Sequence, residues 1–135
     1  MIKYMNLIGI KARKASEYKV TTEIKNKVLN DYAKLIKNEK KFIINQNSKD
    51  INYARKKGLK ENLIKRLHLN EDKLDGIVNS ILKIAKLRDP IDSTLEKWKR
   101  PNGVNIKRVS IPIGVIGVIY ESRPNVTSDV ASLCF

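Results

Sequence analysis

The sequence predicts an α/β protein in which a helical front part leads into the first strand-turn-helix unit of an α/β domain. Three observations predict this class. Apolar residues recur at helical spacing up to Arg88. The run Ile111–Tyr120 is apolar almost throughout, which is typical of a strand buried on both faces in a parallel sheet. A polar turn follows at residues 121–125, and another helical pattern then continues to Phe135.

The composition indicates a folded protein of the cytoplasm. The chain has 135 residues, of which 41% are hydrophobic, so one domain with a core is possible. No apolar run reaches the roughly 18 residues that predict a membrane span. The N-terminus lacks the apolar stretch and the small-residue cleavage site of a signal peptide. Because Cys134 is the single cysteine, it forms no internal disulfide, and we expect a cytoplasmic location.

The formal net charge of +14 leaves two hypotheses open. A basic surface attracts nucleic acid, which makes a free-standing basic helical protein that binds nucleic acid or an acidic partner the alternative. Compositional drift is the other reading, because 21 Lys, 18 Ile and 13 Asn all use A/T-rich codons. Only 7 of the 28 basic residues are arginine, the residue that forms bidentate contacts with bases and phosphates. We therefore expect no dedicated nucleic-acid partner.

Two helices are predicted in the first part of the chain. Apolar and basic positions follow helical spacing from Ile2 to Ser16. Thr21 or Thr22 can cap the next helix, because a threonine hydroxyl accepts a hydrogen bond from a free backbone N–H. One face of this second helix is predicted from apolar residues at helical spacing, namely Ile24, Val28, Tyr32 and Leu35.

A third helical segment is predicted to begin at Glu39. The polar stretch at residues 45–48 is expected to interrupt or recap it before a helix resumes at Asp50. Gly58 stands where a helix end favours a left-handed residue. A short helix is expected over residues 61–67.

Asn70 is predicted to cap the next helix, which ends near Arg88 because Asp89 precedes a proline. Its apolar stripe is Leu74, Ile77, Val78, Ile81, Ile84 and Ala85. The single histidine, His68, has no cysteine cluster or second histidine near it in sequence, so we expect no metal.

A β-hairpin is predicted after this helix. The sequence Pro101-Asn102-Gly103 signals a turn. Residues 104–109 alternate in polarity, and residues 94–99 are the candidate partner strand.

The turn at the end of the apolar run carries the candidate site. Ligands of α/β sheets bind beyond the carboxyl ends of the strands. Pro124 suits the first turn of a helix, and Asn125 or Thr127 can cap that helix. Free N–H groups at such a helix start attract anions. A helix cap is the plainer interpretation of Asn125.

These residues resemble a known family. The stretch 118–127, with Arg-Pro-Asn-Val-Thr at residues 123–127, and its continuation at 129–134 closely resemble gamma-glutamyl phosphate reductase, also called glutamate-5-semialdehyde dehydrogenase, of the aldehyde dehydrogenase superfamily. Earlier pieces are similar too, at residues 45–50, 54–59, 66–67 and 87–90. The resemblance implies an aldehyde-dehydrogenase-like fold, of which the chain has only the helical N-terminal part, a β-hairpin and the first buried strand-turn-helix of the cofactor domain.

The resemblance also implies an enzyme of proline biosynthesis. The family reduces L-glutamyl 5-phosphate with NADPH to glutamate 5-semialdehyde and releases phosphate, through a cysteine thiolate that forms a thioacyl enzyme. By matching, Asn125 is a catalytic residue of the oxyanion hole, and Ser122, Arg123 and Pro124 lie beside the nicotinamide of NADP. Arg123 is a hypothetical ligand of the substrate's phosphate or carboxylate. The full-length protein is expected to be a homo-oligomer.

The sequence departs from the family in its length. The family's catalytic cysteine lies beyond the sequence, and Cys134 matches a helix position, so we expect no reductase activity from this chain alone. We divide it into a helical region at 1–90, a hairpin that resembles an oligomerisation arm at 91–110, and the start of an NADP-binding domain at 111–135. A poorly folding gene remnant is a third hypothesis.

Overall fold

The computed structural model describes residues 2–121 and 123–135. These residues form helices and one antiparallel hairpin, in the order α1 (Ile2–Ala15), α2 (Thr22–Asn38), α3 (Lys40–Lys56), α4 (Glu61–Leu67), α5 (Glu71–Ile84), β1 (Thr94–Lys99), β2 (Asn105–Val109) and α6 (Pro124–Leu133). Within the described ranges, no helix has both the length and the hydropathy that crossing a bilayer requires. The chain divides into two compact units, which are described separately.

The first unit holds the described residues up to Val20 together with Arg88–Gly117. The helix α1 has no buried residue. Strands β1 and β2 pair antiparallel, with Trp98 opposite Ile106, and this confirms the predicted hairpin. Gly103 takes a φ of 88° in the connecting turn, a left-handed conformation that glycine adopts without a Cβ clash.

The second unit comprises Thr21–Leu87 and Val118–Phe135, and α2 and α5 form its main core. The predicted stripe of α5 is buried apart from Ile84, which is partly buried against the core. The predicted face of α2 is wrong, because Leu35 is 57% exposed. The buried residues of α2 are Leu29, Ala33 and Ile36, with Tyr32 partly packed against them. Apolar residues occupy adjacent positions in α2 and form two neighbouring faces. Helical spacing alone therefore does not tell which of the two faces packs against α5.

The helix α3 runs without a break through residues 45–48, so the predicted interruption is wrong. Asn47 is 5% exposed in the middle of this helix and makes its hydrogen bonds to the end of α4 and to the loop that follows α4. Its side chain therefore does not compete with the helix backbone. Gly58 follows α3 with a φ of 71°, as predicted for a glycine after a helix end.

The predicted ends of α2, α4 and α5 are largely confirmed. Thr21 is the N-cap of α2 and accepts from the Ile24 N–H at 3.4 Å. Asn70 is the N-cap of α5, where its Oδ1 accepts from the Lys73 N–H at 2.9 Å. The helix α4 has the predicted bounds, and α5 ends four residues before the predicted Arg88.

The segment Ile111–Tyr120 is not a buried strand in this chain. No secondary structure is assigned along it, and all of its residues are exposed, with Ile113 at 88% and Ile119 at 101%. A strand needs hydrogen bonds to a neighbouring strand and two covering faces. No described segment supplies such a neighbour. The apolar residues that were predicted to be buried are therefore exposed.

The last helix, α6, begins one residue earlier than the predicted cap. Pro124 occupies its first turn, as predicted, and Arg123 is the N-cap. Neither Asn125 nor Thr127 caps the helix, since both lie inside it and bond to other side chains. Cys134 is exposed and is the C-cap residue directly after α6.

Candidate functional site

The start of α6 is held by backbone geometry rather than by a side-chain cap. Arg123 is extended, with φ −101° and ψ 111°, and its side chain makes no capping hydrogen bond. Its carbonyl accepts from the Val126 N–H at 3.1 Å. The guanidinium of Arg123 is therefore not engaged in closing the helix end and is exposed on the surface.

The amide of Asn125 is oriented by a carboxylate one turn further along α6. Its Nδ2 donates to Asp129 Oδ2 at 3.1 Å. An amide nitrogen has two N–H groups, so one of them remains for another acceptor. Asp129 was not singled out in the sequence. The i, i+4 spacing of Asn125 and Asp129 on a predicted helix was the signal that could have found it.

A second hydrogen bond joins α6 to the segment 111–120 before it. Tyr120 Oη and Thr127 Oγ1 are 3.0 Å apart. The backbone N–H of Arg123 donates to the Glu121 carbonyl at 2.7 Å, which tightens the turn between them. These bonds fix the direction in which the chain enters α6.

Two clefts open on either side of this turn, and they share Leu69 and Pro124. The first, of about 370 Å³, contains Arg123 and is called the Arg123 cleft. The second, of about 360 Å³, contains Asn125 and is called the Asn125 cleft. Both volumes lie within the range of small-molecule sites. The structure thus separates two residues that the sequence placed together, with Pro124 between them.

The Arg123 cleft has apolar and aromatic walls. Phe42 and Ile43 come from α3, and Tyr120 comes from the segment 111–120. Among the described residues that line the cleft, Arg123 is the one cation, and it shares the cleft with the carboxylates of Asp50 and Glu121.

Asn47 fixes the loop that both clefts touch. Its Nδ2 donates to the Leu67 carbonyl at 2.9 Å, and its Oδ1 accepts from the Leu69 N–H at 2.8 Å. This side chain therefore pairs one backbone group at the end of α4 and one in the loop that follows it, 20 and 22 residues away in sequence. Sequence reasoning placed Asn47 in a polar interruption and missed this role.

The Asn125 cleft contains charges of both signs. Arg66, His68 and Lys73 line it together with Asp129. Lys73 Nζ donates to the carbonyls of Lys65, at 3.5 Å, and of His68, at 2.5 Å. Arg66 Nη1 lies 3.8 Å from Glu121 Oε2, longer than a charge-assisted hydrogen bond.

Of the other predicted site residues, Ser122 lies outside the described residues. Cys134 is the C-cap of α6, nine residues after Asn125, so at 1.5 Å per residue the two are separated by roughly 13 Å along the helix. A nucleophile and an oxyanion donor must both lie about 3 Å from the reacting atoms. Cys134 therefore does not share a reaction centre with Asn125. Among the described residues, no group of three or more His, Cys, Asp or Glu side chains could hold a metal ion.

Comparison with known proteins gives a consistent result. No family model matches the chain. It is 47% identical over 113 residues to the gamma-glutamyl phosphate reductase of Nautilia profundicola, covering 84% of this chain and 28% of that protein. It is 43% identical over 132 residues to the same enzyme of Halothermothrix orenii, covering 94% and 32%. The chain therefore spans about a third of the curated relatives that it matches.

Solved structures of the same enzyme also match. The gamma-glutamyl phosphate reductase of Thermotoga maritima superposes with a TM-score of 0.85 at 38% identity, covering 91% of this chain and 30% of that one. The reductase of Saccharomyces cerevisiae gives a TM-score of 0.87 at 30% identity, covering 94% and 33%.

The helical layer, the hairpin and α6 thus have the fold of the N-terminal part of an aldehyde-dehydrogenase-like protein, as the sequence predicted. Within that class, the chain is a homologue of the gamma-glutamyl phosphate reductases and corresponds to about a third of one. The resemblance drawn from residues 118–134 is confirmed.

Proposed function

We propose that this chain supplies part of the active site of an NADPH-dependent reductase of proline biosynthesis. The reaction reduces L-glutamyl 5-phosphate to L-glutamate 5-semialdehyde and releases phosphate. Besides the homology, one structural observation supports the proposal. The Asn125 amide stands exposed at a cleft with one N–H fixed by Asp129 and the other available.

Asn125 is the proposed catalytic residue of this chain. When a thiolate adds to an acyl carbon, negative charge develops on the carbonyl oxygen. An amide N–H already aimed at that oxygen stabilises the charge without reorganisation, and loss of such a donor costs on the order of 3 kcal/mol. The thiolate comes from outside this sequence, since Cys134 is too far from Asn125. The chain alone is therefore proposed to be inactive.

The Arg123 cleft is the proposed position of the cofactor's ring. Its aromatic and apolar walls suit a flat ring, whereas Asp50 and Glu121 make it unfavourable for a phosphate group. We assign Arg123 and Pro124 to this contact, and Ser122 by the family resemblance alone. The bound cofactor supplies a hydride to the acyl carbon. The preference for NADP over NAD rests on the resemblance.

The remaining features of the proposal follow the family. The protein acts in the cytoplasm and is a homo-oligomer when complete. Its parts are the helical region 1–90, the arm-like hairpin 91–110 and the start of the cofactor domain at 111–135.

A chimeric enzyme tests the proposed function. In the Thermotoga maritima reductase, the matching segment is replaced by this chain, and phosphate-dependent oxidation of glutamate 5-semialdehyde with NADP is measured. We expect activity from the chimera and none from the 135-residue chain. Substitution Asn125→Ala should lower kcat about 10²- to 10³-fold. The control Asn30→Ala, on the exposed surface of α2, should leave kcat unchanged.

Two results would contradict the proposal. An inactive chimera that folds and assembles would show that this chain does not provide the reductase segment. Turnover by the chain alone would show that it is not a partial site.

The alternative is nucleic-acid binding driven by the charge of +14. Such binding weakens steeply as salt rises. Fluorescence anisotropy with a labelled oligonucleotide at low and physiological salt separates the two. We expect only weak binding that disappears at physiological salt.

A further inference from the structure

The Asn125 cleft has the charge arrangement that an amino-acid head group requires. An amino acid presents an ammonium and a carboxylate on one carbon, so its site needs an acceptor and a cation close together. Asp129 provides a half-buried carboxylate, and Arg66 provides a guanidinium at the same cleft. The apolar side chains of Leu69 and Ile77 line the space with them.

The two charged groups retain capacity for a ligand. Asp129 Oδ2 accepts one hydrogen bond from Asn125, and the structure gives the carboxylate no other partner among the described residues. Arg66 has five N–H donors, and its contact with Glu121 at 3.8 Å is too long to occupy its planar fork. The nearby Lys73 ammonium, by contrast, already donates to two carbonyls.

We propose that this cleft binds the amino-acid end of the acyl substrate, with the α-ammonium at Asp129 and the α-carboxylate at Arg66. The inference rests on the proposed function and adds the substrate contacts to it. In a γ-glutamyl group the acyl carbon and the α-nitrogen are four bonds apart, about 5 Å when extended. Asn125 and Asp129 are in contact, so one such group reaches both side chains.

This arrangement gives Asp129 two consequences for one substrate. Its carboxylate orients the Asn125 amide toward the acyl oxygen, and it also attracts the α-ammonium of the same substrate. A substrate without the ammonium loses the second contact and keeps the first. The cleft therefore selects amino acids acylated on the side chain over plain acyl groups of the same length.

Binding of small probes to the 135-residue chain tests the subsite. The probe is L-glutamine, which has both α-groups and a neutral carbonyl at the acyl position. Glutaramate has the same carbonyl and carboxylate but no ammonium. NMR titration should give saturable shifts of the Asn125 side-chain amide with L-glutamine, and affinity for glutaramate should be about tenfold lower.

Matched variants assign the contacts. Asp129→Asn keeps the size of the side chain and should lower the affinity for L-glutamine about tenfold, without changing the affinity for glutaramate. Arg66→Gln should weaken both probes, because both have the carboxylate. Asp31→Asn makes the same charge change at an exposed position of α2 and should leave both affinities unchanged. Circular dichroism verifies that each variant folds.

Three results would overturn the subsite: no saturable shift with L-glutamine, equal affinity for the two probes, or unaltered L-glutamine affinity in Asp129→Asn. These failures differ from failure of the proposed function. An active chimera with no L-glutamine shift refutes the subsite alone. An inactive chimera with Asp129-dependent binding refutes the reductase activity and retains the subsite.

Discussion

At the scale of single residues, a buried amide maintains the clefts. Asn47 is the one residue of α3 that is both polar and buried, and it pairs a backbone group at the end of α4 and another in the loop that follows. Leu69, one of those two partners, lines both clefts. Burying a polar side chain destabilises a protein unless its polar atoms are hydrogen-bonded. The hydrogen bonds of Asn47 pair its own amide group and, at the same time, the two backbone groups.

Replacing Asn47 by alanine should therefore destabilise the second unit by about 1–3 kcal/mol, because it leaves a partly buried carbonyl and a buried N–H without partners. Urea unfolding followed by circular dichroism measures this. Asn30→Ala removes an exposed amide that bonds to its own helix, and it should cost less than about 0.5 kcal/mol. Equal effects of the two substitutions would contradict a bridging role for Asn47.

At the start of α2, Thr21 both caps the helix and lowers the pKa of the Glu23 carboxyl group. Thr21 accepts from the Ile24 N–H and donates to the carboxylate of Glu23. This hydrogen bond, followed by one from the backbone N–H of Glu23, lowers the pKa of Glu23 below its ordinary value of 4.5. A lowered pKa contributes stability that is present above the ordinary value and is lost as pH falls through the lowered one.

Substitution Thr21→Ala should have two effects. The pKa of Glu23 should rise toward 4.5, which NMR titration of its carboxyl group would show. The second unit should lose about 1 kcal/mol at neutral pH through loss of the cap, as measured by urea unfolding. A Glu23 titration that does not respond to the substitution would rule out the hydroxyl as the main cause.

At the scale of elements, two glycines in the second unit should respond oppositely to the same change. Gly58 follows α3 with φ of 71°, which strains any residue that has a Cβ. Gly76 lies within α5, and an added Cβ there would contact nothing within 4 Å. The two positions therefore separate backbone strain from helix propensity.

We expect Gly58→Ala to destabilise the unit by about 1 kcal/mol and Gly76→Ala to stabilise it by about 0.5–1 kcal/mol. Thermal unfolding of the two variants and of the original chain gives the direction of each change in stability. Shifts in the same direction would contradict the helix ends as described.

Elements defined by local signals were predictable, and features set by distant contacts were not. The caps at Thr21 and Asn70 could be read because the capping side chain and its N–H partner are three residues apart. The buried face of α2 could not, because α5 selects it. The role of Asn47 could not be read either, since its partners lie about twenty residues away. Of the candidate site, Pro124 at the start of α6 was predicted, whereas its division of two clefts depends on packing.

At the scale of the whole molecule, the exposed apolar segment is the feature that should dominate behaviour in solution. Residues 111–120 combine unpaired backbone with exposed apolar side chains, the condition that favours intermolecular strand pairing. The segment was predicted to be buried from its pattern. Burial of this segment needs a neighbouring strand and covering helices. The described residues, which match about a third of the length of the relatives, do not supply them.

We therefore expect the isolated chain to self-associate as its concentration rises. The double substitution Ile113→Lys with Ile119→Lys should reduce this association, because it places charge on the exposed edge. Sedimentation velocity over a concentration series measures it. Asn105→Lys with Thr94→Lys adds the same charge to the exposed hairpin and should have a much smaller effect. If both pairs act equally, net charge is responsible and the segment is not.

Pro124, the wall between the two clefts, has a thermodynamic consequence. A ligand on one side that shifts this residue alters the space on the other side, so the two affinities are linked. Linkage requires the coupling to be reciprocal: whatever factor a ligand in the Arg123 cleft applies to binding in the Asn125 cleft, a ligand in the Asn125 cleft applies to binding in the Arg123 cleft. The position of Pro124 in the first turn of α6 then sets the size of this coupling, which is the same whichever ligand binds first.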